Sequence, residues 1–572
     1  MTLQGAWRVL PGRLCVLANL AAAHRGYSRD LASRHRKLVD RFNLNVRRST
    51  EAFEFLSDRV EEIDGLPFSL LDAAAESYNL QHGFRQQANS MNGPWRLTLD
   101  SELVDVVSKF TPLRYLRSQA VREQLFRSFS SRASSGRWDN RNVVAEILRV
   151  RDAGARRAGY SNFAEWMSPS RMVKSTASID SFLSDLSQAL QPAAQAELKV
   201  LHEFAASRGH VGELLRWDHD FWEERLREDR FSFDEEKLRP YFALPNVLQS
   251  LFDLSSKLFG VHIGRDMSAR VAEPTRVYHV RDNESGELLG SFHLNPHADE
   301  ENAQTLVERS TLHGRKPVEL ISLSFPSPIG NTPCLLRLKN IESLFHEVGH
   351  VLATMFTDRY EFSVKERDNM EVVSYFMECW MYHQPTFESF ARHHATGEPL
   401  PDGALEDIVR SASLGSARFL LWYVARAALD MELHARYDAA LPPERLREVE
   451  RRVMAKFTPV PLDADECWLC IFDHVFDGDQ YAANEYSYVW GQALAFDAFS
   501  AFEEAGLGDD RALARVGRRF RDTLLGPDSS RPFLEVYREF RGRDMSIDAL
   551  LRHKAAGSAM GQCQTPSGQE KK

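Results

Sequence analysis

The chain has no apolar run long enough to cross a bilayer. A membrane helix needs about 18–20 consecutive apolar residues, and the segment from Leu14 to Ala23 is short and broken by Asn19. No membrane span is expected, and the reading is of a water-soluble protein. Cysteine is scarce, 6 in 572 residues, and its scatter excludes a disulfide framework and favours a reducing compartment. Nor is there a basic excess: the formal net charge is −10. That argues against a nucleic-acid partner, because such proteins carry a basic surface that displaces counterions from phosphates. Internal repeats are also missing. What remains is an ordinary globular composition, 43% hydrophobic and 27% charged, in a chain long enough to divide into two or three packed regions.

The first acidic residue is Asp30, whereas Arg8, Arg13, Arg25 and Arg29 come earlier. This is the composition of an organelle transit peptide. The same stretch also reads as one amphipathic helix of the folded body, with Leu14, Leu17, Ala21 and Tyr27 near helical spacing. Both readings stand, and with them a cytoplasmic or an organellar (mitochondrion or plastid) location. From Arg13 to about Arg270 the pattern is almost wholly helical. Between Thr275 and Pro326 it changes to β-branched alternation in "TRVYHVRD", "LLGSFHLN" and "ELISLSFP", with "NESG" as a hairpin turn. Helices resume after Asn340 and run to about Leu551, followed by a polar tail. The reading divides the chain into an N-terminal helical region (1–105), a main region (106–555) and a tail (556–572). Cys467 and Cys470 form a single CxxC; with no second pair, two buried helix cysteines is the default over a zinc knuckle or a redox motif.

The informative stretch is "IESLFHEVGHVLATMF", Ile341 to Phe356. A step of four residues on a helix turns about 400°, so His346 and His350 project from one face and reach a single ion. Zinc in a hydrolase takes three protein ligands and leaves the fourth position to water. The run "DNMEVVSYFMECW" offers the third: Glu371 and Glu378 lie seven residues apart in an apolar context, where a carboxylate is costly unless paired with a cation or metal. Glu371 is the expected third ligand, and Glu378 the expected acceptor of an imidazole N–H. Glu347 is then the candidate general base, which takes a proton from an attacking water and passes it to a leaving amine. Peptide hydrolysis with one zinc per chain fits this set. The competing reading of the motif is a helix with two satisfied histidines.

With these motifs in view, the sequence resembles the M3 metallopeptidases, the thimet oligopeptidase group, most closely the oligopeptidase A and dipeptidyl carboxypeptidase type. The resemblance rests on HExxH followed by E-x-x-S-x-x-x-E, matched by Glu371, Ser374 and Glu378. It also rests on "FPSPIGNTPCLLRLKN" before the active helix and "RPFLEVYREFRGRDMSIDALLRH" at the close, and covers about Arg13 to His553. It implies a mainly α, two-lobed zincin-type fold with a small β-sheet before the active-site helix. It implies a monomeric peptidase acting on short peptides reached through a deep channel. By the same resemblance, "HVFDGDQYAANEYSYVW" supplies His474, Tyr481 and Tyr488 as substrate and oxyanion contacts. This chain departs from the family in a shorter interval from His346 to Glu371, in "DGDQ" where a glycine-rich turn is usual, in Glu485 where a tyrosine is common, and in a shortened N-terminal region. The alternative functional expectation is a catalytically weakened relative that binds peptides.

Overall fold

The computed structural model describes residues 27–82, 88–99, 104–105, 109–110, 112–231, 235–298, 316–328, 330–356, 366–526 and 531–554. The basic opening segment up to residue 26 and the polar tail from residue 556 lie outside them. The first described helix, α1 (Arg29–Glu51), starts where the Ser28 side chain accepts the Leu31 N–H. Such a cap satisfies one of the free donors at a helix N-terminus. Tyr27, just ahead of it, is buried in the main core.

Helices dominate as expected, but the helical stretch is interrupted in ways that periodicity did not show. Phe55–Ser57 pairs antiparallel with Trp95–Leu97, and together with Ile63, Leu125 and Trp217 these residues build a second hydrophobic core, smaller than the main one. That core draws on residues from both sides of position 105. A further strand follows helix α2 (Leu244–Phe259), which ends at Gly260 in the left-handed conformation, φ 64°. A glycine is favoured there because it carries no Cβ to clash. β1 (Val261–Arg265) begins at the next residue, a strand hidden in the sequence by the apolar helix that runs straight into it.

β1 heads a four-stranded sheet with β2 (Arg276–Asp282), β3 (Leu288–Asn295) and β4 (Val318–Ser322), in that spatial order. The first two pairings are antiparallel and the last is parallel. Ile263 faces Val280, and Tyr278 faces Phe292 with their rings stacked at 5.1 Å. The β2–β3 turn is the expected "NESG": the Asp282 carboxylate accepts the N–H groups of Glu284 (3.0 Å) and Ser285 (2.9 Å). An Asp at this position mimics a backbone turn through its side chain.

The sheet buttresses the helix that carries the two histidines. This helix, α3 (Leu338–Met355), buries Ile341, Leu344, Phe345, Val348, Val351 and Leu352 completely, which is the 3.6-residue stripe its sequence spells. A Cβ on Gly290 of β3 would stand 2.2 Å from the Met355 Sδ at the end of the helix and 2.8 Å from the Pro317 carbonyl oxygen, so the glycine leaves room for a close contact there. Next come α4 (Val372–Met381), α5 (Ser416–Met431) and α6 (Tyr486–Ala505). Helix α6 is buried on nearly all sides, as a helix that is apolar all round must be. It packs against both α4 and α5.

A candidate metal and catalytic site

His346 and His350 lie on the same face of α3, one turn apart, with their Nε2 atoms 3.2 Å from each other. The Glu371 Oε2 is 3.3 Å from each of those nitrogens. Among the described residues this is the one group of three or more His, Cys, Asp or Glu side chains arranged to hold a metal ion. The spacing is itself informative. Donors around a tetrahedral zinc at 2.0–2.1 Å stand about 3.3 Å apart, which is the separation found for all three pairs.

Two helices bring these atoms together because their backbones touch. Gly349 sits between the histidines in sequence and against α4 in space, where an added Cβ would be 2.6 Å from the Ser374 Cα. Glu371 stands at the N-terminal boundary of α4, not within it; the helix proper begins at Val372. Its carboxylate accepts the Ser374 hydroxyl at 3.1 Å. Behind it lies Gly491 of α6, at which a Cβ would be 3.3 Å from the Glu371 Cβ.

The imidazole of His346 is oriented from its other side. Its Nδ1 is 2.6 Å from the Glu378 Oε1, and a proton held between those atoms leaves the Nε2 lone pair directed into the cluster. Burial works against charge on His346, yet its hydrogen bonds to Glu371 and Glu378 outweigh burial and hold the imidazole well above its usual range. Burial likewise opposes ionisation of Glu371, but the two histidines, His350 first, keep its carboxyl well below the ordinary value. An anionic carboxylate facing two imidazoles is a cation-seeking arrangement. Glu347, half-buried beside them, is pushed up by desolvation, only partly offset by His350 and His346.

The late aromatic stretch forms its own cluster. The His474 Nε2 is 2.8 Å from the Tyr488 Oη, and the His474 ring centroid is 4.8 Å from that of Tyr481 and 5.6 Å from that of Tyr488. Tyr488 lies one turn before Gly491 on α6, hence on the face that packs against Glu371. Burial, with the Glu371 charge second, raises the Tyr488 phenol well above its normal range and keeps it a proton donor. Tyr375 completes the wall, its ring 5.5 Å from that of His346.

Three carboxylates hold these parts in place, of which Asp430 and Asp368 were absent from the sequence reading and Glu485 was noted there without a partner. Asp430 of α5 accepts the backbone N–H of Ala483 at 2.9 Å and of Glu485 at 3.0 Å, gripping a turn in which Ala483 adopts a left-handed φ of 55°. Asp368, three residues before Glu371, accepts the Tyr486 hydroxyl at 2.6 Å and so ties that segment to the start of α6. Glu485 turns its buried carboxylate to Arg426 of α5 at 2.6 Å. Arg426 in turn lies over the Tyr423 and Phe472 rings, at 5.3 and 4.8 Å. Asp430 had a sequence signal, a lone acid in the apolar run "FLLWYVARAALDM", the same signal that singled out Glu371. The Glu485–Arg426 pair had none, since the partners are far apart in the chain.

The sequence model of the family described as Peptidase family M3 matches residues 113–556. Organellar oligopeptidase A, chloroplastic/mitochondrial, from Arabidopsis thaliana is 36% identical over 538 residues, covering 90% of this chain and 67% of that protein. Probable cytosolic oligopeptidase A from the same plant is also 36% identical, covering 90% of this chain and 75% of that protein. Oligopeptidase A of Escherichia coli (strain K12) is 30% identical over 546 residues, covering 92% and 77%. Among solved structures, one described as PZ peptidase A with inhibitor 2 superimposes with a TM-score of 0.53 at 14% identity, over 94% of this chain and 78% of that one.

Proposed function

The chain belongs to peptidase family M3, and from that premise we propose that it is a zinc-dependent oligopeptidase that hydrolyses short peptides with Glu347 as general base. The observation that carries the reading is the set of mutual distances among His346 Nε2, His350 Nε2 and Glu371 Oε2, 3.2, 3.3 and 3.3 Å, which suits a tetrahedral ion held by three protein donors. These three residues would hold the zinc. When bound, zinc supplies Lewis-acid polarisation of a peptide carbonyl and acidifies water toward a pKa of about 7.

The protein's own groups do the rest. Glu347, its carboxyl raised by burial, takes a proton from the attacking water and returns it to the departing amine. Glu378 holds His346 in one tautomer through Nδ1. Tyr488, its hydroxyl fixed by His474, donates a hydrogen bond to the oxygen on which charge develops, an interaction strongest in the transition state. Tyr481 lines the same wall beside His474. In this reading residues 106–555 form the peptidase region of a protein that acts as a monomer, and residues 1–105 a helical region ahead of it. The named relatives include organellar and cytosolic proteins, and no described helix is long and apolar enough to cross a membrane.

One observation favours a second reading, a weakened relative that binds peptides without efficient turnover: the side chain of Glu485, where the resemblance leads to the expectation of a tyrosine, is committed to Arg426. Metal analysis joined to a peptide digest read by mass spectrometry separates the two. The oligopeptidase reading expects one zinc per chain and chelator-sensitive cleavage. Bound zinc with no cleavage of any short peptide would favour the binder.

A further inference from the structure

The CxxC of the sequence is not in the catalytic machinery and not in a regular α-helix. Cys467 and Cys470 bracket a short 3-10 turn, Trp468–Cys470, and both are free and fully buried. Their sulfurs are 3.1 Å apart. Every flank of the turn is anchored. The Cys467 N–H donates to the Ser130 carbonyl at 3.1 Å, the Asn140 amide donates to the Cys470 carbonyl at 3.0 Å, and the Leu469 N–H donates to Glu450 Oε1 at 2.9 Å. The second oxygen of Glu450 is buried without a hydrogen-bond partner. A buried carboxyl left half-satisfied beside two thiols is not what packing alone selects, because an unpartnered polar atom in the interior is costly.

We propose that Cys467 and Cys470 form an oxidisable dithiol, a site of two-electron modification by a small hydroperoxide, in which Cys467 is the attacking sulfur, Cys470 the resolving one and Glu450 the buried acid–base group. The assignment of roles follows the charges placed around each sulfur, Arg447 and Arg141 near Cys467 and Glu450 near Cys470. The two sulfurs are within hydrogen-bonding distance of each other; against burial, that contact and the positive charge of Arg447 and Arg141 nearby draw the Cys467 thiol down. Cys470 is driven well up, first by that same contact, then by burial, then by the charges of Cys467 and Glu450. Attack needs a thiolate, and the sulfur that stays protonated resolves.

The chemistry balances. The Cys467 thiolate attacks one oxygen of hydrogen peroxide, the O–O bond breaks, and the departing hydroxide takes a proton to become water, leaving a sulfenic acid on Cys467. The Cys470 sulfur then attacks the Cys467 sulfur, the S–O bond breaks, and the leaving hydroxide takes the Cys470 proton and departs as a second water; burial holds the Glu450 carboxyl well above its usual range, which suits it to lend and regain a proton as the hydroxide leaves. Two thiols lose two hydrogens and two electrons, and one peroxide takes both. Because both sulfurs are buried, the oxidant has to be small, and glutathione disulfide is not expected to reach them.

The test uses the full-length folded protein, treated with hydrogen peroxide or with glutathione disulfide, then denatured in an alkylating reagent and mapped by mass spectrometry. Peroxide should make the fragment containing residues 467–470 two hydrogens lighter and resistant to alkylation, reversibly on reduction, while glutathione disulfide leaves it alkylated. In Cys470→Ser the sulfenic acid should be trapped on Cys467 by dimedone, and in Cys467→Ser the remaining Cys470 should stay unmodified. Full alkylation of both cysteines after peroxide, a sulfinic acid with no sulfur–sulfur bond, or a bond that forms only once the protein is unfolded would each overturn the proposal. Trapping on Cys470 and not Cys467 would overturn the assignment of roles, and equal oxidation by glutathione disulfide the small-oxidant requirement.

Discussion

Gly349 and Ser374 touch backbone to backbone: a Cβ on the glycine would lie 2.6 Å from the serine Cα and 2.8 Å from the Val373 carbonyl oxygen. This contact sets the distance between the helix bearing His346 and His350 and the segment bearing Glu371. Gly349→Ala should therefore cost about 1–3 kcal/mol of stability, the usual range for overpacking, and should weaken zinc binding in the same protein. Denaturant midpoints and metal content check it together. An unchanged midpoint with full zinc would show that the helices can separate without consequence.

Each of His346→Ala, His350→Ala and Glu371→Ala removes one of three donors and should leave a protein that loses zinc to a chelator far more readily than the parent. Glu378→Gln should act more mildly, about 10–100-fold in metal affinity, as loss of an orienting partner does. Competition with a chromogenic chelator reads all four. Full occupancy in Glu371→Ala would move the third-ligand role to another side chain.

Tyr488→Phe deletes the hydroxyl held 2.8 Å from His474. If that hydroxyl meets the developing oxyanion, kcat should fall about 10²-fold or more with KM little changed. An unaltered kcat in a folded, zinc-loaded protein would reduce Tyr488 to a packing role and pass the test to Tyr481.

Asp430 grips the turn at Ala483 and Glu485, so Asp430→Asn should lower kcat while leaving zinc in place. Ala483→Gly tests the same turn from the other side. It removes the cost of a left-handed non-glycine residue, about 1 kcal/mol, and should recover part of the loss when combined with Asp430→Asn. Recovery of stability with no recovery of kcat would separate the turn from catalysis.

Asp282 joins the β2–β3 turn to Arg521, 2.7 Å away. The Ser285 N–H, then Arg521, hold its carboxyl far below the ordinary carboxylate range. A depressed folded-state value means that this contribution to stability is present in full above a pH of about 4, the unfolded value, and is lost as pH falls through the lower folded value. Asp282→Asn should flatten that part of the acid-unfolding curve; an identical curve would place the acid sensitivity elsewhere.

Much of the site was legible because its parts are local. The four-residue step of His346 and His350 needs only helix geometry, and Glu371 stood out as a carboxylate in an apolar run. The alternation of Arg276–Asp282, Leu288–Asn295 and Val318–Ser322 was equally plain. What escaped was non-local or masked by a stronger neighbouring pattern. Val261–Arg265 followed a well-formed helix with no polar break except Gly260. The partnership of Glu485 with Arg426, and of Asp368 with Tyr486, depends on tertiary packing that no window of sequence contains. Asp430 carried a readable signal, a buried acid among aliphatic residues, whose meaning became clear only with the turn it grips.

If Glu347 is the base beside a zinc held by His346, His350 and Glu371, Glu347→Gln should stop hydrolysis without releasing the metal. The substitution keeps size and hydrogen bonding but removes the proton acceptor. Zinc content and cleavage of a quenched fluorescent peptide, measured on the same preparation, should show one zinc per chain and a turnover reduced by orders of magnitude. Substantial turnover in the zinc-loaded variant would show that Glu347 is not the base and that some other group activates the water.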